Sequence, residues 1–200
     1  MTYTNKQQQE VNAKNQLKEL ILSIHQVNLT DLNILLQFGE YTTFKKNTKI
    51  IEEGEISEYF YFIYKGLVKV YYYKNDRLII DRFEKEGSLF GGNFSHTLQK
   101  PGNHYYDAIE NVSLLRFKFS DLENLANKSH DMERLYRKSV ELFHANYATR
   151  LSLFKSLNAK ERYEEFIAQY GDVVNRVSLK DVANFLEMTP ETLSRIRSKI

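Results

Sequence analysis

The feature that most constrains this chain is a change of hydrophobic period along its length. Leu17, Leu20, Ile21 and Ile24 recur at helical spacing, and Leu29, Leu32, Ile34, Leu35 and Leu36 follow. The spacing predicts one helix and then a second short one, starting at Thr30 as its N-cap. From residue 41 to 119 the pattern is different. Tyr59 to Tyr64 is nearly all aromatic and β-branched, Gly66 interrupts it, and Leu67, Val68, Val70 and Tyr71 to Tyr73 resume it. Asn75-Asp76 signals a turn before Leu78, Ile79, Ile80 and Phe83. Gly87, Gly91 and Gly92 punctuate the next stretch. Pro101-Gly102-Asn103 marks another turn before Tyr105 to Ile109 and Val112 to Phe117. Of the 14 Tyr and 13 Phe, 17 lie in this middle region. Short strands between regular turn signals predict an all-β barrel or sandwich there.

After residue 119 the helical period returns. Ser120-Asp121-Leu122-Glu123 reads as a capping box, in which the serine accepts from the amide three residues on and the glutamate reaches back. A long element is expected from Ser129 to Ser156. On it Met132, Tyr136, Val140, Phe143, Tyr147, Leu151 and Phe154 recur at steps of 4, 4, 3, 4, 4 and 3, which is one stripe on one helix. A stripe this long without internal breakers points to helix–helix association between subunits, with a core helix inside one chain as the alternative. A short helix from Ala159 to about Tyr170 follows, with Gly171 able to end it.

Residues 178 to 197 carry the sharpest motif. Ser178 can cap a helix, with Asp181 where a capping-box acid belongs, and Val182, Ala183 and Leu186 form its inner face. Glu187-Met188 makes a tight connection. Thr189 caps the next helix, and Pro190 sits at its first position, where no amide donor is missed. Leu193 and Ile196 face inward, so Glu191, Thr192, Ser194, Arg195, Arg197 and Ser198 face outward or lie at the edge. This is a helix-turn-helix pattern, whose second helix lies in the DNA major groove. Arg195 can donate two bonds to guanine and Glu191 can accept from cytosine. Thr189, Thr192, Arg197 and Lys199 are placed to hold phosphates, which set register without reading sequence. The turn position usually held by glycine is Glu187, so it must tolerate strain.

Composition removes other chemistries. With no Cys there is no disulfide framework, thiolate metal site or cysteine nucleophile. Lys+Arg 28 against Asp+Glu 26 leaves +2, so any nucleic-acid surface must be a local patch. No apolar run reaches ~18 residues, and Met1 to Lys14 is polar with no signal-peptide core; the expectation is a cytoplasmic protein without a membrane partner. His25, His96, His104, His130 and His144 are scattered and form no metal-ligand pair, and the nucleophile-elbow, P-loop and dinucleotide signatures are missing. No catalytic residue, metal or cofactor is expected.

The chain resembles the cyclic-AMP receptor protein / fumarate-nitrate regulator superfamily of bacterial transcription factors over roughly residues 20 to 200. The resemblance rests on Ile50-Ile51-Glu52-Glu53-Gly54, on Tyr59 to Val70 with Gly66, on Gly87-Ser88-Leu89-Phe90-Gly91, and on the helix-turn-helix. It implies an α+β fold. An N-terminal β-roll sensor (a double-stranded barrel like a cyclic-nucleotide-binding domain) would span 1–128 with the N-terminal helices. A dimerisation helix would span 129–156, and a helix-turn-helix domain 157–200. Glu191-Thr192-Leu193-Ser194-Arg195 resembles the family's Glu-Thr-x-x-Arg recognition segment, which implies base contact by Glu191 and Arg195; Pro190 stands where the family has an arginine. The implied partners are double-stranded DNA with a near-palindromic operator and a second copy of the chain.

The effector site departs from the family. The nucleotide-binding branch holds ribose with a glutamate after the glycine, where this chain has Gly92. It holds cyclic phosphate with an Arg-Ser/Thr pair, where this chain has about Asn103-His104. Neither makes the bidentate, charge-assisted pair of an arginine with phosphate, and each such bond lost in a buried site costs ~1.5–3 kcal/mol. Cyclic AMP in the usual mode is therefore not expected. The candidate effector pocket is Phe90, Gly91, Gly92, Asn93, Asn103 and His104. It leaves open a different small ligand, or an interior filled by its own aromatics such as Phe90, Phe94 or Tyr106. Three functional readings stand: a ligand-controlled DNA-binding regulator, a regulator controlled only by its abundance, and a sensing or protein-interaction module whose helix-turn-helix does not bind DNA.

Overall fold

A run such as Tyr59 to Tyr64 is aromatic and aliphatic throughout because both of its faces are wholly or partly buried, each by a different set of partners. The computed structural model describes residues 2–92 and 95–199, with all their side chains except those of 2–4, 149–150 and 152–155. The elements in order are α1 (Thr2–Ile24), α2 (Leu29–Phe38), β1 (Glu40–Phe44), β2 (Lys49–Ile51), β3 (Tyr59–Lys65), β4 (Val68–Lys74), β5 (Arg77–Glu84), β6 (Leu89–Phe90), α3 (Ser95–Leu98), β7 (Tyr105–Ala108) and β8 (Val112–Lys118). Then come α4 (Phe119–Lys128), α5 (His130–Ser156), α6 (Ala159–Tyr170), a 3-10 turn (Gly171–Asn175), α7 (Leu179–Phe185) and α8 (Pro190–Arg197).

The strands form two four-stranded sheets, ordered β1-β8-β3-β6 and β2-β7-β4-β5. β8 is central to the first, pairing antiparallel with β1 (Thr42 opposite Leu114) and with β3 (Phe62 opposite Leu115). Side chains alternate across a strand. Tyr61 and Ile63 therefore join Val70, Phe90, Tyr106 and Leu114 in the interior of the roll. Phe62 faces the other way, with Leu115 and Phe117, against Leu17, Ile21, Leu32 and Leu35 of α1 and α2. Burying each such side chain contributes about 1.5–3 kcal/mol. The architecture is the expected mixture of helix with a β-roll. The β4–β5 connection is a two-residue turn, with Asn75 (φ 49) and Asp76 (φ 59) both left-handed. That is the conformation a tight hairpin demands, and Asn and Asp tolerate it.

Three helix starts differ from the sequence reading. α1 begins at Thr2, because Ala13 packs below Leu17 and Ile21 and carries the helix back through a polar segment. α2 is capped by Asn28, not Thr30. The Asn28 side chain accepts from the Asp31 amide and donates to Asp131, which the local sequence does not reveal. The Ser120 capping box does not form. β8 runs to Lys118, the Phe119 amide donates to the Glu58 carbonyl, and the helix has already begun when Ser120 is reached. The long helix and the helix of Ala159–Tyr170 lie where expected, and Gly171 (φ 46) ends the latter.

The chain divides into two compact units, residues 1–70 with 83–141 and residues 71–82 with 142–200. The first holds most of the roll, α1, α2, α4 and the start of α5. In the second, the rings of Phe166, Tyr170 and Phe185 contact one another, with centroids 4.9, 5.5 and 5.6 Å apart, and Val182, Ala183, Leu186 and Leu193 are buried. Along α5, Met132 and Leu135 are buried, but Tyr136, Val140, Phe143, Tyr147 and Leu151 are exposed. The side chain of Phe154, the last member of that stripe, lies outside the described residues. No helix among the described residues is long and apolar enough to cross a membrane.

Candidate nucleic-acid interface and effector pocket

Ser178 starts α7 by accepting from the Asp181 amide at 3.1 Å. The helix ends in a Schellman arrangement: Met188 N–H donates to Ala183 O at 3.0 Å and Glu187 N–H to Asn184 O at 3.1 Å. That closure requires a left-handed residue, and Glu187 supplies it with φ 52. The strain expected at this position is therefore present, and Arg162 Nη2 lies 3.5 Å from the Glu187 carbonyl. Glu187→Gly should raise stability by about 0.5–1 kcal/mol, since glycine adopts this conformation without the Cβ cost. A thermal unfolding midpoint that falls on substitution would show that the glutamate side chain makes a stabilising contact of its own.

Thr189 then caps α8, accepting from the Thr192 amide at 3.2 Å, with Pro190 in the first turn. Leu193 is fully buried and anchors the helix. Glu191, Arg195, Arg197 and Lys199 are exposed, and Thr192 is partly so. The Glu191 carboxyl is held below the usual carboxylate range by its own backbone amide and then by the Thr189 hydroxyl. It is thus an ionised acceptor at the helix N-terminus, where the dipole favours negative charge. Arg195 Nη2 reaches the Thr192 hydroxyl only at 3.4 Å, so its guanidinium is loosely held one turn further along. The six residues singled out in the sequence thus lie on one short helix, its cap and the residues just beyond it.

The effector candidates are arranged differently. Phe90 is buried between two rings, Tyr61 at 4.9 Å and Tyr106 at 5.3 Å between centroids, with planes within 16° of parallel. Tyr106 is fully buried. Burial pushes the Tyr61 phenol up to about 12. This three-ring stack occupies the interior of the roll. Gly92 has φ 55, and a Cβ there would stand 2.4 Å from Ser57 Cβ and 2.8 Å from Ser95 Oγ. The two serines are tied together, Ser57 N–H donating to Ser95 Oγ at 3.0 Å and Ser57 Oγ to Tyr59 O at 3.0 Å. Behind Gly91, a Cβ would meet Phe119 and Phe60. Asn103 and His104 bond to each other, Oδ1 to Nδ1 at 2.8 Å. Asn93 and Phe94 lie outside the described residues. An open pocket beside this region is lined by Ile50, Ile51, Glu55, Ile56, Ser57, Glu58, Tyr59 and Tyr61, two carboxylates and no cation. Among the described residues no group of three or more His, Asp and Glu is gathered to hold a metal ion.

Sequence reasoning missed Ser57, Ser95 and Tyr61. Tyr61 had a signal: it pairs with Phe90 across β3 and β6, so an inward Phe90 implies an inward Tyr61. The serines had none, being 38 residues apart.

Residues 41–129 match the family described as cyclic nucleotide-binding domain. The structure is similar to that of FixK2 from Bradyrhizobium japonicum, with 27% identity, 80% of this chain and 83% of that chain covered, and a TM-score of 0.67. It is also similar to the c-di-GMP-responsive global regulator CLP of Xanthomonas campestris (16% identity, 86% and 91% covered, TM-score 0.64). A third similar structure is the catabolite activator protein of Thermus thermophilus (16% identity, 88% and 84% covered, TM-score 0.52). No curated protein sequence matches the chain.

Proposed function

We propose that this chain, which resembles the cyclic-AMP receptor protein / fumarate-nitrate regulator superfamily and carries a cyclic nucleotide-binding domain at residues 41–129, is a homodimeric, sequence-specific DNA-binding transcription regulator. The observation that carries the reading is α8: a capped helix, pinned by buried Leu193, that presents an ionised Glu191 and an exposed Arg195 one turn apart on one face, with Arg197 exposed in its last turn. α7 and α8 act as a helix-turn-helix, with α8 in the major groove. Arg195 and Glu191 read base edges; Thr189, Thr192, Arg197 and Lys199 hold phosphates. The dimer forms through α5, whose exposed stripe from Tyr136 to Leu151 is, among the described residues, the largest set of uncovered aromatic and aliphatic side chains on one element. Two-fold symmetry calls for a near-palindromic operator with half-sites ~34 Å apart or a multiple of it. A DNA partner, with bacterial regulators among the similar structures, supports a cytoplasmic location. Any effector acts by binding one arrangement of the dimer better than another. Cyclic AMP in the family's usual mode is not that effector, because Gly92, Asn103 and His104 supply no guanidinium and the neighbouring pocket is lined with Glu55 and Glu58.

Selection on random duplex DNA tests the reading, with an enriched palindrome as the expected result. Arg195→Ala should weaken binding to the selected site by ~1–3 kcal/mol and relax preference at one base pair of each half-site. No enrichment at low salt overturns DNA reading and leaves a sensing or protein-interaction module. Unchanged affinity and preference in Arg195→Ala overturns this docking of α8.

A further inference from the structure

One side chain joins two segments of the second unit that lie about a hundred residues apart in sequence. Asn184 Oδ1 accepts from the Ile80 amide at 2.8 Å, and Asn184 Nδ2 donates to the Leu78 carbonyl, also at 2.8 Å. The carbonyl of one strand residue and the amide two residues on point to the same side of the strand. β5 is the last strand in its sheet order, so among the described residues its outer side meets no further strand. A carboxamide carries one acceptor and one donor group side by side. Asn184 therefore pairs with the edge of β5 as a neighbouring strand would, using a single residue of a helix. It sits in α7 between Ala183 and Phe185, both buried, and Ile80 is buried as well. The hairpin tip, residues 71–82, belongs to the same compact unit as α7 and α8. Its two strands run on at Val70 and Phe83 into the roll.

We propose that Asn184 is a latch that fixes the α7–α8 pair to the β4–β5 hairpin, so that the position of α8 follows the hairpin. Naming α8 the DNA-reading helix rests on the function proposed above; the latch itself does not. The chemistry is selective. Aspartate lacks the donor and sets a carboxylate against the Leu78 carbonyl, while leucine keeps the volume and loses both bonds.

The absence of cysteine allows a clean test. Spin labels are placed on Lys74→Cys and Ser194→Cys, both exposed, in the full chain diluted with excess unlabelled chain. The distance distribution and the amide hydrogen exchange are then measured with and without Asn184→Leu. The expected result is one narrow distance with Asn184 and a broad distribution with Asn184→Leu. Exchange at the Ile80 amide should rise about tenfold, as expected for losing the latch bonds. Exchange should stay unchanged at Leu186 and Leu193, whose amides bond within the helix pair at 3.0 Å. Asn184→Asp should behave like Asn184→Leu. A broad distribution already in the parent chain overturns the latch. So does an unchanged distribution in Asn184→Leu, or protection lost throughout α7 and α8, which would make Asn184 a support of the helix fold. Failure of the DNA selection alters none of these readouts, so the two proposals fail separately.

Discussion

Tyr106→Ala is expected to lower the unfolding free energy by about 3–5 kcal/mol, the range for deleting a fully buried aromatic ring from a packed core. Tyr106 is fully buried, stacks on Phe90 at 5.3 Å, and shares the roll interior with Ile51, Ile63, Val70 and Leu114. These neighbours come from several strands tied by backbone ladders, so they cannot close on the space left behind. Against a total of about 5–15 kcal/mol for a domain, the loss is a large fraction. Urea unfolding should show a lower midpoint with an unchanged slope. The vacated space would be apolar and should admit a small aromatic such as benzene, which would restore part of the midpoint. A loss below about 1 kcal/mol would mean that the roll interior is loosely packed and keeps room for a natural ligand.

Gly92→Glu should restore no nucleotide site and should cost about 2–5 kcal/mol, a range built from two steric terms. The substitution supplies the residue type that the resemblance to the nucleotide-binding branch implies after the glycine. Here it meets a backbone at φ 55 and Ser57 Cβ at 2.4 Å. A left-handed non-glycine residue costs about 1–2 kcal/mol. Forcing a side chain into packed neighbours adds about 1–3 kcal/mol. Calorimetric titration with cyclic AMP and cyclic GMP should show no heat at millimolar nucleotide for either the parent chain or the variant. Micromolar binding by the parent would mean that Gly92, Asn103 and His104 build a phosphate site of another kind. Micromolar binding by the variant would mean that one carboxylate was the only missing part. Either outcome would overturn a roll interior closed to cyclic nucleotides by its own aromatic rings and serines.

The contrast between the two sites explains why one was legible in the sequence and the other was not. Every residue assigned to DNA lies between Thr189 and Lys199, inside one helix and its ends, so spacing alone groups them. Cap, proline and buried leucine are local signals with local causes. The surroundings of the effector candidates are assembled from Ser57, Tyr61, Gly92, Ser95 and Tyr106, which come from β3, β7, α3 and the loops between. Nothing in the order of those residues says that Ser57 and Ser95 meet, or that three aromatic rings stack. Asn184 is a sharper case. In a helix interior it reads as an indifferent polar residue, and its partners lie more than a hundred positions earlier. The same division runs through the helix starts. Ser178 and Thr189 cap where local chemistry says they should. The start of α2 was settled by Asp131 and that of α4 by Glu58, both distant in sequence.

Sequence by itself determined the succession of helix, β-roll and helix, because periods of 3.6 and 2 are set by backbone geometry and need only the order of apolar residues. It also determined which residues of α8 are polar and exposed. Only the tertiary structure decided that the roll interior is filled by Tyr61, Phe90 and Tyr106, that Gly92 is backed by serines, and that α7 is tied to β5. Those outcomes depend on which side chains meet across strands and loops. Packing and hydrogen bonding between distant segments carry no local periodicity that a linear pattern can display.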